Sequence, residues 1–185
     1  GKSGLAVAPI AWGMWRFSGR DLVQAQTLVE AALEAGVTLF DTADIYGFDG
    51  QSGFGDAERL LGEVFAAAPG LRSHMVLASK GGILPPLPYD SSPDYLGRAL
   101  DASLARLQVE QIDLYQIHRP DILAHPQEVA RALEDAVRAG KVRAVGVSNY
   151  TLAQVEALRA LLELPLASLQ PEFSPLHLDP MVDGL

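Results

Sequence analysis

Cysteine is absent from the chain, which excludes both disulfide bonds and metal sites built from thiolates. A protein without thiols is compatible with a reducing compartment, so we expect a cytoplasmic location. Histidine is scarce as well, with four residues in total and no H-x-H or H-E-x-x-H pairing. No metal site is therefore predicted.

Basic residues are also few. Lys and Arg together number 14, against 23 Asp and Glu, which gives a formal net charge of −9. This balance argues against the phosphate backbone of a nucleic acid, or an anionic membrane surface, as a partner. It places no limit on a small ligand, because such a ligand responds to the local charge of its site.

Three sequence signatures are missing. No apolar run reaches the length of about 18 residues that spans a bilayer. The first four residues, Gly-Lys-Ser-Gly, contain neither an initiating Met nor the apolar segment of a signal peptide. The phosphate-binding fingerprints G-x-G-x-x-G and G-x-x-x-x-G-K-[ST] do not occur, and the Gly-rich stretch Gly47–Gly55 matches neither.

Short apolar runs and helix-length amphipathic segments do alternate along the 185 residues, which suits one domain over residues 1–185. The spacing of roughly 30 residues between strands favours repeated βα units and a parallel sheet. The predicted strands are Leu5–Trp12, which Pro9 breaks, Val37–Phe40, Met75–Ser79, Ile112–Ile117, Val142–Val147 and Leu166–Gln170. The predicted helices are Leu22–Ala35, Asp56–Ala68, Pro93–Leu107, Pro126–Ala139 and a last one from the cap Thr151 to Leu162.

Two parallel architectures fit this alternation, a doubly wound open sheet and a barrel. An open sheet usually gathers its ligand groups at one switch point. Here a polar residue stands at the end of strand after strand, which favours a barrel with site residues around its rim. We therefore predict an α/β TIM (β/α)8 barrel of which about the first six βα units are present. The strand-end residues are Asp41, Lys80, His118, Asn149 and Gln170.

Four of the polar residues near strand ends form a chemically coherent set: Asp41, Tyr46, Lys80 and His118. A tyrosine is a weak acid, with an unperturbed pKa of about 10, and a neighbouring ammonium makes its proton easier to give. We predict Tyr46 as general acid, Lys80 as its activator and Asp41 as the anchor of Lys80. His118 would hydrogen-bond and orient a substrate carbonyl.

Each of these four residues, taken alone, also has a purely structural explanation. Asp41 suits a strand-end cap, Tyr46 a loop aromatic, Lys80 a solvated lysine and His118 a core histidine. The chemical interpretation depends on all four occurring at successive strand ends, which is much less common by chance.

The local motifs resemble the aldo-keto reductase superfamily from about Leu5 to Pro175. The motifs that carry this resemblance are Phe40-Asp41-Thr42-Ala43-Asp44-Ile45-Tyr46-Gly47, Ser79-Lys80, Ile112-Asp113-Leu114-Tyr115-Gln116-Ile117-His118 and Lys141-Val142-Arg143-Ala144-Val145-Gly146-Val147-Ser148-Asn149.

This resemblance implies reversible reduction of an aldehyde or ketone with NADPH, and Asp41, Tyr46, Lys80 and His118 as the catalytic tetrad. A His at position 118, where steroid double-bond reductases carry Glu, indicates the carbonyl-reducing branch. The residues implied at the cofactor are Gly13, Met14, Trp15, Asp41, Ser148, Asn149 and Gln170, of which the last three would bind the nicotinamide carboxamide. The alternatives are a helix cap for Ser148 and Asn149, and a surface turn for Gln170.

The substrate pocket is predicted to have apolar walls formed by Trp15, Phe48, Phe54 and Tyr89. Such walls favour an aromatic or aliphatic carbonyl over a highly charged one.

A complete barrel of this kind needs roughly 250 residues, whereas this chain ends at Leu185 after the sixth strand. The residue that stacks on nicotinamide and the segment that binds the 2′-phosphate are therefore missing, and NADP over NAD is expected from the resemblance alone. The open sheet edges are expected to aggregate or pair.

Two other functions stay open. One is a non-catalytic, cofactor-binding regulatory subunit on the same scaffold, such as those associated with ion channels, and the other is an inactive truncated fragment. A metal-dependent barrel hydrolase is a weaker third possibility. The intact tetrad favours the reductase. The physiological substrate and the oligomeric state do not follow from the sequence.

Overall fold

One curved sheet of parallel strands forms the centre of the protein, whose structure is a computed structural model describing residues 3–184. Gly1, Lys2 and Leu185, which belong to the predicted domain, lie outside the described residues. The six strands are β1 Ala11–Gly13, β2 Leu39–Asp41, β3 Val76–Gly81, β4 Ile112–Ile117, β5 Val142–Ser148 and β6 Leu166–Gln170.

Neighbours in the sheet are neighbours in the chain, since the order is β1-β2-β3-β4-β5-β6 and every pair is parallel. A doubly wound sheet would reverse its order at a switch point, and this sheet does not. The sequential order confirms the prediction of a partial (β/α)8 barrel with about six βα units.

Helices follow the strands as predicted, with bounds α1 Leu22–Glu34, α2 Asp56–Ala67, α3 Pro93–Leu107, α4 Pro126–Arg138 and α5 Leu152–Arg159. Two short 3₁₀ helices cover Pro69–His74 and Asp179–Met181. Side-chain caps determine where helices begin: the Asp21 carboxylate accepts from the Gln24 N–H, and Thr151 forms a capping box with Gln154. Within residues 3–184, no helix has the length and apolar character needed to cross a membrane.

The predicted first strand, Leu5–Trp12, is wrong over most of its length, because only Ala11–Gly13 pairs with β2. Pro9 has a fixed φ and no N–H to give to a ladder, so the segment before β1 does not extend the sheet. The last helix also ends earlier than predicted, at Arg159 instead of Leu162.

Alternate residues of each strand face opposite sides of the sheet, and this alternation separates two regions of the core. Ala78, Leu114 and Ala144 form a small apolar cluster inside the curve. The larger apolar core lies between the sheet and the helices and includes Leu77 and Tyr115. In β3, Lys80 therefore shares the inner side with Ala78, and its neighbours Ser79 and Gly81 face the helices.

Candidate active site

The Lys80 ammonium is the centre of the polar groups at the carboxyl ends of the strands. Its Nζ donates to Asp41 Oδ2 at 2.7 Å, to the Thr42 carbonyl at 3.0 Å and to the Tyr46 hydroxyl at 3.1 Å. Lys80 is 1% exposed, and Asp41 is buried beside it. A buried ammonium needs such partners, because an unpaired charge would be strongly destabilising here.

Tyr46 reaches Lys80 from a tight turn that follows β2. The Tyr46 N–H donates to the Ala43 carbonyl at 3.1 Å, and the Tyr46 carbonyl accepts from the Ala57 N–H at the same distance. The phenol ring is half-buried, with the Lys80 Nζ 4.8 Å from its centroid. The turn therefore fixes the hydroxyl between the ammonium and the open side of the site.

His118 follows β4 and completes the set. Its N–H donates to the Gly81 carbonyl at 2.9 Å, and its ring lies 5.7 Å from the Tyr46 ring, edge to face. Burial, followed by the positive charges of Lys80 and Arg119, lowers the pKa of His118 to about 3. The imidazole is therefore neutral near neutral pH and is able to donate one hydrogen bond to a carbonyl oxygen.

The ends of β5 and β6 are tied to this group by hydrogen bonds. Asn149 Nδ2 donates to the His118 carbonyl at 3.0 Å and to Ser148 Oγ at 2.9 Å, and Gln170 Nε2 donates to Asp41 Oδ2 at 3.2 Å. Asn149 adopts a left-handed φ of 59°, which asparagine tolerates better than most residues.

Neither structural alternative for these residues is supported. The next helix is capped by Thr151 instead of Ser148 or Asn149, and the Gln170 amide reaches into the site instead of lying in a surface turn.

The residues at the end of β1 differ in their access to the site. Met14 is buried in the core, with 0% of the residue exposed. Gly13 has open space where a Cβ would stand. The Trp15 ring is 67% exposed and lies 5.3 Å from the Tyr46 ring.

A cavity of about 440 Å³ opens over Tyr46 and His118, and its other lining residues include Trp15, Phe48 and Ile83. Two of the predicted apolar walls do not line it. Phe54 packs behind Phe48 with ring centroids 6.2 Å apart, and Tyr89 lies outside the cavity, 38% exposed.

Two arginines that were not predicted from the sequence, Arg16 and Arg119, also line this cavity. In the described part of the chain, neither forms an ion pair or a side-chain hydrogen bond, and no acidic side chain lines the cavity. Their positions in the sequence gave one indication of this placement, because Arg16 directly follows Trp15 and Arg119 directly follows His118. The cavity thus carries local positive charge in an acidic protein.

The described residues contain no group of three or more acidic or imidazole side chains able to hold a metal ion. The hydrolase alternative therefore gains no support from this structure.

Comparison with known proteins gives one consistent family. The model of the aldo/keto reductase family matches residues 9–182. A 6-dehydroglucose reductase of Novosphingobium aromaticivorans is 65% identical over 186 residues, covering 100% of this chain and 61% of that protein. A second 6-dehydroglucose reductase, from Agrobacterium fabrum, is 36% identical over 97% of this chain and 63% of its own length.

Solved structures agree with this relationship. A thermostable aldo-keto reductase in complex with the inhibitor epalrestat superposes with a TM-score of 0.85 at 27% identity, over 100% of this chain and 65% of that one. A glycerol dehydrogenase from Gluconobacter oxydans gives 0.77 at 32% identity, over 91% and 52%. The chain spans about three fifths of the length of the curated relatives named above.

Proposed function

The chain belongs to the aldo/keto reductase family, and from this premise we propose that the protein reduces an aldehyde to an alcohol with NADPH as hydride donor and Tyr46 as proton donor. The observation that carries this proposal is the buried Lys80 ammonium, which contacts both Asp41 Oδ2 and the Tyr46 hydroxyl. This arrangement places the phenol hydroxyl against a buried cation at the floor of an open cavity.

The residues of the chain divide the work of carbonyl reduction among them. The Tyr46 hydroxyl and the neutral His118 imidazole hold the carbonyl oxygen between them, where negative charge develops during reduction. Tyr46 then transfers its proton to this oxygen. Lys80 stabilises the resulting phenolate, and Asp41 keeps the ammonium in place. The low exposure of Lys80 and Asp41 strengthens these interactions, because little water screens them.

The chemistry at the ends of β1, β5 and β6 fits a nicotinamide group, which supplies hydride when bound. Ser148 Oγ, together with the side-chain carbonyl oxygens of Asn149 and Gln170, would hold the carboxamide. Gly13 leaves open space beside Asp41, its partner in the sheet. NADPH over NADH belongs to the proposal and follows the family pattern.

We propose a sugar aldehyde as the substrate class. The name of the 65% identical relative denotes a glucose whose C6 carbon is oxidised to an aldehyde. The cavity supports this choice, since Arg16, Arg119 and Ser18 present hydrogen-bond donors for hydroxyl groups above Tyr46. Trp15 offers an aromatic face on which the apolar side of a pyranose ring can pack.

Loss of reduced-nicotinamide absorbance, followed with 6-dehydroglucose and with a simple aromatic aldehyde, tests this proposal. We expect turnover of both, with the larger kcat/KM for the sugar. Tyr46→Phe should lower kcat by about 10²- to 10⁴-fold, the usual contribution of a general acid. Tyr89→Phe is the matched control, because Tyr89 lies outside the cavity and should leave kcat unchanged.

Undiminished turnover in Tyr46→Phe would contradict the assignment of the acid. Binding of NADPH without turnover of any aldehyde would instead favour a non-catalytic cofactor-binding subunit.

A further inference from the structure

Besides Asp41, a second carboxyl group lies near the site: that of Asp44, on the helix side of the sheet. Asp44 is fully buried, and neither of its carboxyl oxygens has a hydrogen-bond partner among residues 3–184. An ionised carboxylate in this position would lose its hydration, and the smaller stabilising effects of the Ile45 N–H and of the charges on Arg106 and Lys80 would not offset that loss. The geometry therefore disfavours the charged form of Asp44.

The charged and titratable groups around Asp44 do not change this conclusion. They are Glu58 of α2, Tyr95 and Arg106 of α3, Lys80 of β3 and Tyr115 of β4. Arg106 is engaged with Glu58, to which its Nε donates at 2.7 Å, and Lys80 is engaged with Asp41. Burial, and next the negative charge of Glu58, raise the pKa of Asp44 well above its usual range.

The Tyr115 hydroxyl is another buried polar group close to Asp44. It is buried and has no hydrogen-bond partner in the described residues. A Cβ placed on Gly81 would lie 2.1 Å from this hydroxyl and 3.4 Å from Asp44 Oδ2. The two oxygens are therefore at most about 5.5 Å apart, yet they do not bond directly. This separation leaves room for no more than one water molecule between the two groups.

Asp44 is also joined to the catalytic residues through the backbone. Its N–H donates to the Lys80 carbonyl at 3.0 Å, and Tyr46 follows two residues later in the same turn. A displacement of Asp44 would therefore shift the turn that carries Tyr46 relative to the end of β3, which carries Lys80.

We propose that Asp44 is a protonated carboxylic acid, buried beside the Tyr115 hydroxyl, that positions the Tyr46 turn against Lys80. Asp44 is a positioning residue, since it touches neither the cavity nor the reacting groups. Its effect on turnover rests on the proposed reductase function, whereas its protonation does not.

Infrared difference spectroscopy of the protein near neutral pH, wild type minus Asp44→Asn, reads the protonation directly. We expect the C=O stretching band of a carboxylic acid in the wild type and its loss in the variant. Carboxylate bands in its place would overturn the proposal. This measurement requires no turnover, so it stays decisive if the reductase assignment fails.

Thermal unfolding as a function of pH provides a second readout. The folded-state pKa of Asp44 is raised above the unfolded value of about 3.9, so its contribution to stability is complete below that value and declines as pH rises. Asn cannot ionise, so the Tm of Asp44→Asn relative to wild type should increase from about pH 4 to neutrality. A difference in Tm that is independent of pH would contradict the proposal.

Steady-state kinetics then separates positioning from bulk stability. Asp44→Asn keeps the shape and neutrality of the acid and should retain kcat within about threefold. Asp44→Ala loses the contact and should lower kcat roughly 10- to 100-fold with a smaller change in KM, as expected for misplaced catalytic groups. Equal kcat values for the two variants would refute a positioning role.

Discussion

Two sets of side chains with almost the same chemistry lie on opposite sides of strand β3. The inner set joins the Asp41 carboxylate, the Lys80 ammonium and the Tyr46 phenol. The outer set joins the Glu58 carboxylate to the Arg106 guanidinium, with the phenol of Tyr115 in the same layer.

The two sets differ in access, since the inner one opens into a cavity of about 440 Å³ and the outer one lies between sheet and helices. The comparison teaches that residue types alone do not make a site. The side of the strand decides which set can meet a substrate.

Alternation along β3 creates this division. Ser79 donates to Glu58 Oε1 at 2.5 Å on the helix side, whereas Lys80, the next residue, points into the curve of the sheet. A shift of the strand by one residue would exchange the two faces and dismantle both sets. The apolar neighbours Leu77 and Ala78, which are buried on opposite faces, hold the register.

Parallel removal of the two cations should produce the largest contrast. Lys80→Met deprives Tyr46 and Asp41 of their shared partner, so kcat should fall by about 10²-fold or more. Arg106→Met leaves the buried Glu58 unpaired and should reduce the free energy of unfolding by about 3–5 kcal/mol. Per folded molecule, its kcat should stay within about tenfold of the wild type.

Steady-state kinetics at low temperature and urea unfolding provide the two measurements. If Arg106→Met lost as much turnover per folded molecule as Lys80→Met, the outer set would take part in the chemistry and the distinction would fail.

A methyl group on Gly81 would point toward the outer set and should disturb that side of β3 directly. The new Cβ would stand 2.1 Å from the Tyr115 hydroxyl, so Gly81→Ala should destabilise the protein by about 3 kcal/mol through overpacking. The double variant Gly81→Ala/Tyr115→Phe removes the clashing oxygen and should recover part of this loss in urea unfolding. No recovery would mean that the strain originates elsewhere.

Lowering the pH should destabilise the folded protein through His118, which lies on the inner side of the sheet. Its folded-state pKa of about 3 lies below the unfolded value of about 6.5, so the unfolded chain takes up the proton first. Stability is therefore complete above about pH 6.5 and declines as the pH falls toward 3. Compared with His118→Gln, the wild type should lose about 2 kcal/mol between pH 7 and pH 5. Urea unfolding at both pH values tests this, and a parallel response of the two proteins would contradict it.

Much of the inner site was predictable, because its residues follow apolar strands that the sequence marks clearly. The boundaries of β4 and β6 match the predictions, and those of β2, β3 and β5 differ by at most two residues at either end. The break at Pro9 was predicted, but the residues before it were still assigned to the first strand, whereas β1 begins only at Ala11.

The outer set was not predictable in the same way. Tyr115 stands within an apolar strand and reads as an ordinary core residue, and Asp44 reads as one more loop acid in a motif already explained. Their burial depends on how α2 and α3 cover the sheet, which is tertiary information. Arg16 and Arg119 escaped notice for a related reason, since the sequence does not distinguish an arginine over a cavity from any other exposed arginine.

The sequential order of the strands determines the order in which the contacts of the site can form during synthesis on the ribosome. Asp41 ends β2 and Lys80 lies 39 residues later in the neighbouring strand β3, so β2 is already synthesised when Lys80 emerges. Gln170 meets Asp41 across 129 residues, so this bond waits for the last strand. Because contacts between segments close in sequence form soonest, we expect vectorial assembly, in which the contacts of Lys80 with Asp41 and Tyr46 form first and the ends of β5 and β6 join them last.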